Sequence, residues 1–191
     1  MIEIVAAARR GRLTNLEITM NTPGAAEQIQ EAIILANGQL NIGAGTVTSP
    51  AVLEEALRAG ASFIVTPTLN ASVVDRCVQV QVPVFPGAFS PNEVVRAWEL
   101  GATMVKIFPA ETLGPAYIRS LKAPLPEIKL LPTGGVNLAT LPEFLKAGAD
   151  GFGVGSPLFD PKRIESGDWP WLEAQCRAFA EAYGRWLLRA P

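Results

Sequence analysis

The sequence predicts an α/β chain folded as a (β/α) barrel of the TIM type, and three observations carry that reading. Short apolar runs of five or six residues alternate with stretches of helical period. The unit recurs every 20 to 25 residues with no linker or low-complexity insert. Polar residues recur inside the apolar runs. Regular β–α alternation calls for parallel strands joined by helical crossovers. A closed barrel and an open doubly wound sheet both satisfy the alternation, and the even spacing of the units favours the barrel. The third observation favours the barrel too, since a strand of an open sheet covered by helices wants apolar side chains on both faces.

The elements follow in order. MIEIVAAARRGR (1–12) reads as a helix, although Ile2 and Ile4 could also alternate as a strand. The strand candidates are LEITMN (16–21), LNIGAG (40–45), SFIVTP (62–67), VPVFPG (82–87), TMVKIFP (103–109), IKLLPT (128–133) and GFGVGS (151–156). Helices between them include 25–36, 49–60, 90–101 and 137–148. Ser49-Pro50 and Ser90-Pro91 put a capping residue before a proline, a strong helix start. Gly60, Gly101 and Gly148 follow the last helical turns, a strong stop. The expectation is seven strands and eight helices in a single domain, 1–191. A barrel of eight units has one more strand, ahead of the first helix. The chain is therefore expected to lack the first strand. Unpaired edges at LEITMN and GFGVGS, a gap between them, lower stability and impaired activity are expected to follow. A start codon assigned too late, or a shortened form closed by a partner subunit, would account for it.

Composition narrows the chemistry. The chain has 191 residues, 49% of them hydrophobic, and a net charge of −2, so no general field recruits nucleic acid or an anionic membrane. Two distant cysteines form neither a metal pattern nor a disulfide framework, and a reducing cytoplasm is the expected setting. No apolar run is long enough to span a bilayer, and no signal peptide opens the chain. The chain contains no histidine. Imidazole metal sites, Ser-His and Cys-His nucleophiles and histidine bases are thereby excluded, and proton transfer falls to Glu, Asp, Lys, Tyr or Cys. No cofactor is expected.

Strand alternation selects the candidate residues. In TMVKIFP, Val105 and Ile107 point to the helices, while Met104, Lys106 and Phe108 point into the barrel. In LEITMN, Leu16, Ile18 and Met20 point outward, and Glu17, Thr19 and Asn21 inward. A lysine and a glutamate thus share one confined space. They could form a structural ion pair. The alternative is chemical: burial lowers a lysine's proton affinity, and a neutral amine attacks a carbonyl to form an imine. Such chemistry also requires a proton shuttle, and Glu17 is the carboxylate inside a strand run. The loops PTGGVN (132–137) and GFGVGSPL (151–158) follow the late strands. Each could be a tight turn; together they match the phosphate site that barrels carry after their last strands. Thr46 in GAGTV would offer a hydroxyl at the mouth. Pro67, Pro86, Pro109 and Pro132 read as strand ends. Trp169, Trp171 and Trp186 read as packing of the terminal helix, and Arg9, Arg10 and Arg12 as a solvated basic face.

Taken together, EITMNT (17–22), GAGTV (43–47), FPGAFSPNE (85–93), VKIFPAE (105–111), LPTGGVN (131–137) and GVGSPLF (153–159) resemble the 2-keto-3-deoxy-6-phosphogluconate (KDPG) / 4-hydroxy-2-oxoglutarate (KHG) aldolase family over nearly the whole chain. The resemblance implies a metal-free class I aldolase, typically a homotrimer, that cleaves a 2-keto-3-deoxy sugar acid to pyruvate and an aldehyde. It implies Lys106 as the imine lysine and Glu17 as the general acid and base. Thr46 would hold the pyruvate carboxylate and Phe108 would pack on the pyruvyl group. Thr133, Gly134, Gly135, Gly155 and Ser156 would form the phosphate site. Two positions depart from the pattern. Asn21 stands where familiar members carry an arginine on the carboxylate, which leaves the sugar acid open, and Thr68 in TPT (66–68) is expected to narrow the mouth. A phosphate-binding barrel isomerase or synthase using Lys106 as a point charge, and a non-catalytic sugar-phosphate binder, are the alternatives.

Overall fold

The computed structural model describes residues 1–188; residues 189–191 of the expected domain lie outside the described ones. It opens with helix α1 (Ile2–Arg10), then β1 (Asn15–Thr19), α2 (Ala25–Ala36), β2 (Asn41–Gly45), α3 (Pro50–Arg58), β3 (Ile64–Val65) and α4 (Ala71–Gln79). The second half runs β4 (Val84–Phe85), β5 (Gly87–Ala88), α5 (Pro91–Glu99), β6 (Val105–Ile107), α6 (Ala110–Lys122), β7 (Leu130–Pro132), α7 (Leu141–Lys146), α8 (Pro161–Glu165) and α9 (Trp169–Leu187). All strand pairs are parallel. One sheet has the order β1-β2-β3-β4 and the other β5-β6-β7, and Thr133 bridges Gly153 beyond β7. Sequential parallel order with helical crossovers is the barrel arrangement.

The outward face of each strand packs on the helices. Ile42 and Ala44 of β2, Ile64 of β3, and Val105 and Ile107 of β6 are buried in one continuous core with α2 to α7. The helix signals hold. Ser49 Oγ accepts from the Val52 N–H, and Ser90 with Glu93 completes a reciprocal capping box. Gly60, Gly101 and Gly148 take left-handed φ of 91°, 97° and 104° after the last turns, which a side chain would resist.

Three expectations change. VPVFPG is one strand in sequence but two short ones here, because Pro86 has no N–H to continue the ladder. GFGVGS contributes a single bridge at Gly153 rather than a strand. LEITMN ends its ladder at Thr19: the Thr22 N–H turns back to the Thr19 carbonyl, so Asn21 lies in an exposed turn. The arginine cluster is also more than a solvated face. Arg9 bonds Gln39 and the Leu35 carbonyl at the end of α2, and Arg10 pairs with Glu173 of α9 at 2.6 Å. Trp169, Trp171 and Trp186 pack α9 and its approach onto the core as expected.

Among the described residues, no backbone hydrogen bond joins β1 to residues 151–156, so the wall is open at the expected place. Glu17 stands on the open side, which bears on its environment.

Candidate active site

β6 delivers Lys106 to the barrel interior. Its neighbours Val105 and Ile107 are fully buried on the helix side, and their fixed orientation turns the lysine inward. Lys106 is 7% exposed. Across the ladder it sits between Gly87 and Leu131. Its Nζ lies 4.9 Å from the centre of the Phe108 ring. Among the described residues it forms no salt bridge, and its ammonium donates to no protein acceptor. Burial pushes its pKa down, and the charge of Glu17 only partly opposes this. Desolvation of this kind increases the neutral, nucleophilic fraction of an amine.

Glu17 comes from β1, in register with Gly43 of β2. Its flanking residues Leu16 and Ile18 are buried outward. Contrary to the expectation of a closed space, its side chain is exposed on one side. The protein packed around the rest still raises its pKa by desolvation, against the lowering effect of Lys106. Water reaching the open face limits that shift. The two groups feel each other's charge without an ion-pair contact, which removes the structural ion pair as an account of Lys106.

β2 makes room for this arrangement. A Cβ at Gly45 would fall 1.6 Å from Glu17 Oε1, and one at Gly43 would fall 2.3 Å from the ring of Phe63. Thr46 follows with φ 54°, a left-handed conformation that a β-branched residue rarely takes. Backbone strain of this kind concentrates at functional positions. The GAG segment is legible in the sequence as a strand end, but the need for a bare Gly45 under Glu17 and a bare Gly43 under the Phe63 ring is not. Neither is Phe63.

The late loops lie together. The Thr133 N–H bonds the Ile107 carbonyl, and the Ala110 N–H bonds the Thr133 carbonyl, so PTGG abuts the Phe108–Pro109 turn. Thr133 Oγ1 is buried without a hydrogen-bond partner, tight against Gly153. Gly134 and Gly135 take φ of 91° and 72°, and a Cβ at Gly135 would collide with Glu111. Among the described residues, the N–H groups of Gly134, Gly135, Gly155 and Ser156 donate to no protein acceptor. Gly155 and Ser156 are exposed, with open space where a Gly155 Cβ would stand. Free backbone donors at adjoining strand ends suit an anion.

A cavity of about 310 Å³ beside Phe108 is lined by Pro67, Thr68, Gly87, Ala88, Phe89, Glu93, Phe108 and Pro109. Thr68 lines this cavity, its carbonyl taking a 2.6 Å bond from Thr66 Oγ1. A second hollow of about 360 Å³ lies between α2 and α3, away from Lys106, and no buried titratable group opens into it. No three His, Cys, Asp or Glu side chains gather among the described residues. None of their helices is long and apolar enough to cross a membrane.

Comparison with known proteins shows the family. The family model of KDPG and KHG aldolase matches residues 1–175. The 2-dehydro-3-deoxy-phosphogluconate aldolase of Pseudomonas aeruginosa is 35% identical over 96% of this chain and 83% of its own length. The 2-dehydro-3-deoxy-6-phosphogalactonate aldolase of Escherichia coli strain K12 is 37% identical over 88% and 80%. The crystal structure of KDPG aldolase from Legionella pneumophila, with pyruvate captured as a covalent carbinolamine intermediate, superposes with a TM-score of 0.85 at 27% identity, covering 92% of this chain and 85% of that one. Sequence and fold agree over most of the chain: it belongs to the KDPG and KHG aldolase family, as an aldolase on a (β/α) barrel.

Proposed function

We propose that this aldolase cleaves a 2-keto-3-deoxy sugar acid, 6-phosphorylated, to pyruvate and an aldehyde through an imine on Lys106. KHG is the second substrate its family allows. The observation that carries the reading is the buried Lys106 amine, without an ion pair among the described residues and held below the ordinary lysine range by desolvation.

The steps follow from the groups at hand. Neutral Lys106 attacks the C2 ketone and gives a carbinolamine. Glu17, whose pKa burial raises towards that of a better proton donor, protonates the departing hydroxyl; water leaves and an iminium remains. The Glu17 carboxylate then accepts the C4 hydroxyl proton. The C3–C4 bond breaks, its electron pair enters the iminium as an enamine, and the aldehyde departs. Glu17 returns the proton to C3, which becomes the pyruvate methyl. Hydrolysis frees pyruvate and restores the amine. Phe108 supplies an apolar wall for the pyruvyl group, and Thr46 a hydroxyl for its carboxylate. Thr133, Gly134, Gly135, Gly155 and Ser156 receive the phosphate. Asn21, in its exposed turn, offers one neutral amide in the carboxylate region, and the choice between gluconate- and galactonate-type sugars stays open with it. The working form is a homotrimer in the cytoplasm.

The test is borohydride reduction in the presence of pyruvate, read by peptide mass spectrometry. A reduced pyruvyl adduct on Lys106 is expected. No adduct, or an adduct elsewhere, refutes the reading and leaves a point-charge role for Lys106.

A further inference from the structure

We propose that Gly45 is a positioning residue: its bare Cα is the seat on which the Glu17 carboxyl rests at the height where it can reach the imine carbon framework. The proposal rests on the reading of Glu17 as proton shuttle.

Strand register sets the geometry. Glu17 pairs with Gly43, and Thr19 with Gly45, so both glycines face the same side of the sheet as Glu17. Neither glycine has a left-handed φ. The backbone therefore does not demand glycine at either place, and glycine inside a strand otherwise weakens it. The space above them is the remaining reason. A Cβ on Gly45 would lie 1.6 Å from Glu17 Oε1, 2.4 Å from its Cδ and 2.8 Å from its Cγ. The whole outer half of the glutamate is laid across this one residue. Ala44 between the glycines is fully buried on the helix side, where a methyl is accommodated.

Gly43 closes the seat from below. The Phe63 ring lies where its Cβ would be, at 2.3 to 2.4 Å. That ring is held edge-on against Phe85, with centroids 5.9 Å apart. Glu17 thus rests over Gly45 beside an anchored aromatic floor, and a side chain at Gly45 pushes its carboxyl off this seat towards the open face. Ordinary contact begins near 3.4 Å. A methyl at Gly45 forces the carboxyl oxygen to retreat by roughly 1.8 Å, where displacements of ~1 Å at a reacting group already cost about 10²-fold.

The test uses deuterium exchange into the pyruvate methyl, which reports proton transfer at C3 without the sugar, together with kcat and KM for cleavage. Gly45→Ala is expected to lower the exchange rate and kcat about 10²-fold, with KM little changed. Added to Glu17→Gln, the same substitution is expected to cost under ~3-fold, because the shuttle it displaces is already gone. A wild-type exchange rate in Gly45→Ala, with Glu17→Gln impaired, overturns the role of Gly45 alone. A wild-type rate in Glu17→Gln removes the reading of Glu17 and the proposal with it. An equal loss from Gly45→Ala in both backgrounds makes Gly45 merely structural and also overturns it. Should Gly45→Ala fail to fold, Gly45→Ala combined with Glu17→Ala decides: recovery of the fold places the conflict at Glu17, and continued failure refutes it.

Discussion

Replacing Lys106 by methionine should abolish activity and at the same time make the protein more stable at neutral pH. Lys106 is 7% exposed, with no carboxylate in contact and no acceptor for its ammonium among the described residues. Methionine fills nearly the same volume against Phe108 without the charge. Exchanging even a paired buried charge for apolar volume is neutral to stabilising by about 1–4 kcal/mol, and a buried amine without an ion pair has less to offset its desolvation. The loss of Lys106 also removes the cation that eases ionisation of Glu17, which offsets part of the gain. A net gain of about 1–2 kcal/mol at pH 7 follows, or roughly 2–8 °C in Tm for a domain of this size. The pH dependence separates this cause from better packing. Desolvation lowers the folded-state pKa of Lys106 below its ordinary 10.5. The native protein therefore carries the full penalty below that folded value. It sheds the penalty as pH rises from the folded value towards 10.5. The stability difference between variant and native protein should shrink over that window and level off above it. Differential scanning calorimetry at several pH values, on protein checked for oligomeric state, measures it. A variant less stable at pH 7, or a gain that does not change with pH, refutes the account of Lys106 as an amine whose desolvation outweighs the favourable terms from Phe108 and Glu17.

Three further outcomes are expected. Glu17→Gln should fold and lose at least ~10²-fold in kcat. Because desolvation raises the Glu17 pKa, native stability falls as pH climbs from the carboxylate range through the folded value, and the glutamine variant should lack that fall; a near-native rate assigns Glu17 another role. Asn21→Arg should tighten pyruvate binding by about 1–2 kcal/mol in calorimetric titration, since a guanidinium fork holds a carboxylate better than one amide; unchanged affinity places Asn21 away from the carboxylate. Lys122→Met should cost about 2 kcal/mol in urea unfolding. Lys122 ties α6 to Asp150 at 2.7 Å and to the Ile128 carbonyl at 2.8 Å, while Asp150 accepts from the Leu130 N–H; a loss under ~0.5 kcal/mol would show the network to be solvated.

Much of this protein is legible along the chain, because the signals are local. Alternation in TMVKIFP is enough to turn Lys106 away from Val105 and Ile107, since side chains of one strand cannot share a face at adjacent positions. Ser49, Ser90 and the glycines after the helices mark their ends through bonds and dihedrals of a few neighbouring residues. The absence of histidine restricts the acid–base chemistry through composition alone. What the fold alone decides depends on residues distant in sequence. Whether Lys106 and Glu17 touch is a matter of the distance across the barrel, and they do not pair. LEITMN alternates through Asn21, yet the ladder stops at Thr19, because a strand ends where its partner does: β2 finishes at Gly45 and Thr46 turns left-handed. GFGVGS has the composition of a strand and makes one bridge, since only β7 is placed to pair with it and β1 does not reach it. Gly45 looks like any glycine in GAGT; only the approach of Glu17 from the neighbouring strand shows that the space above it is occupied.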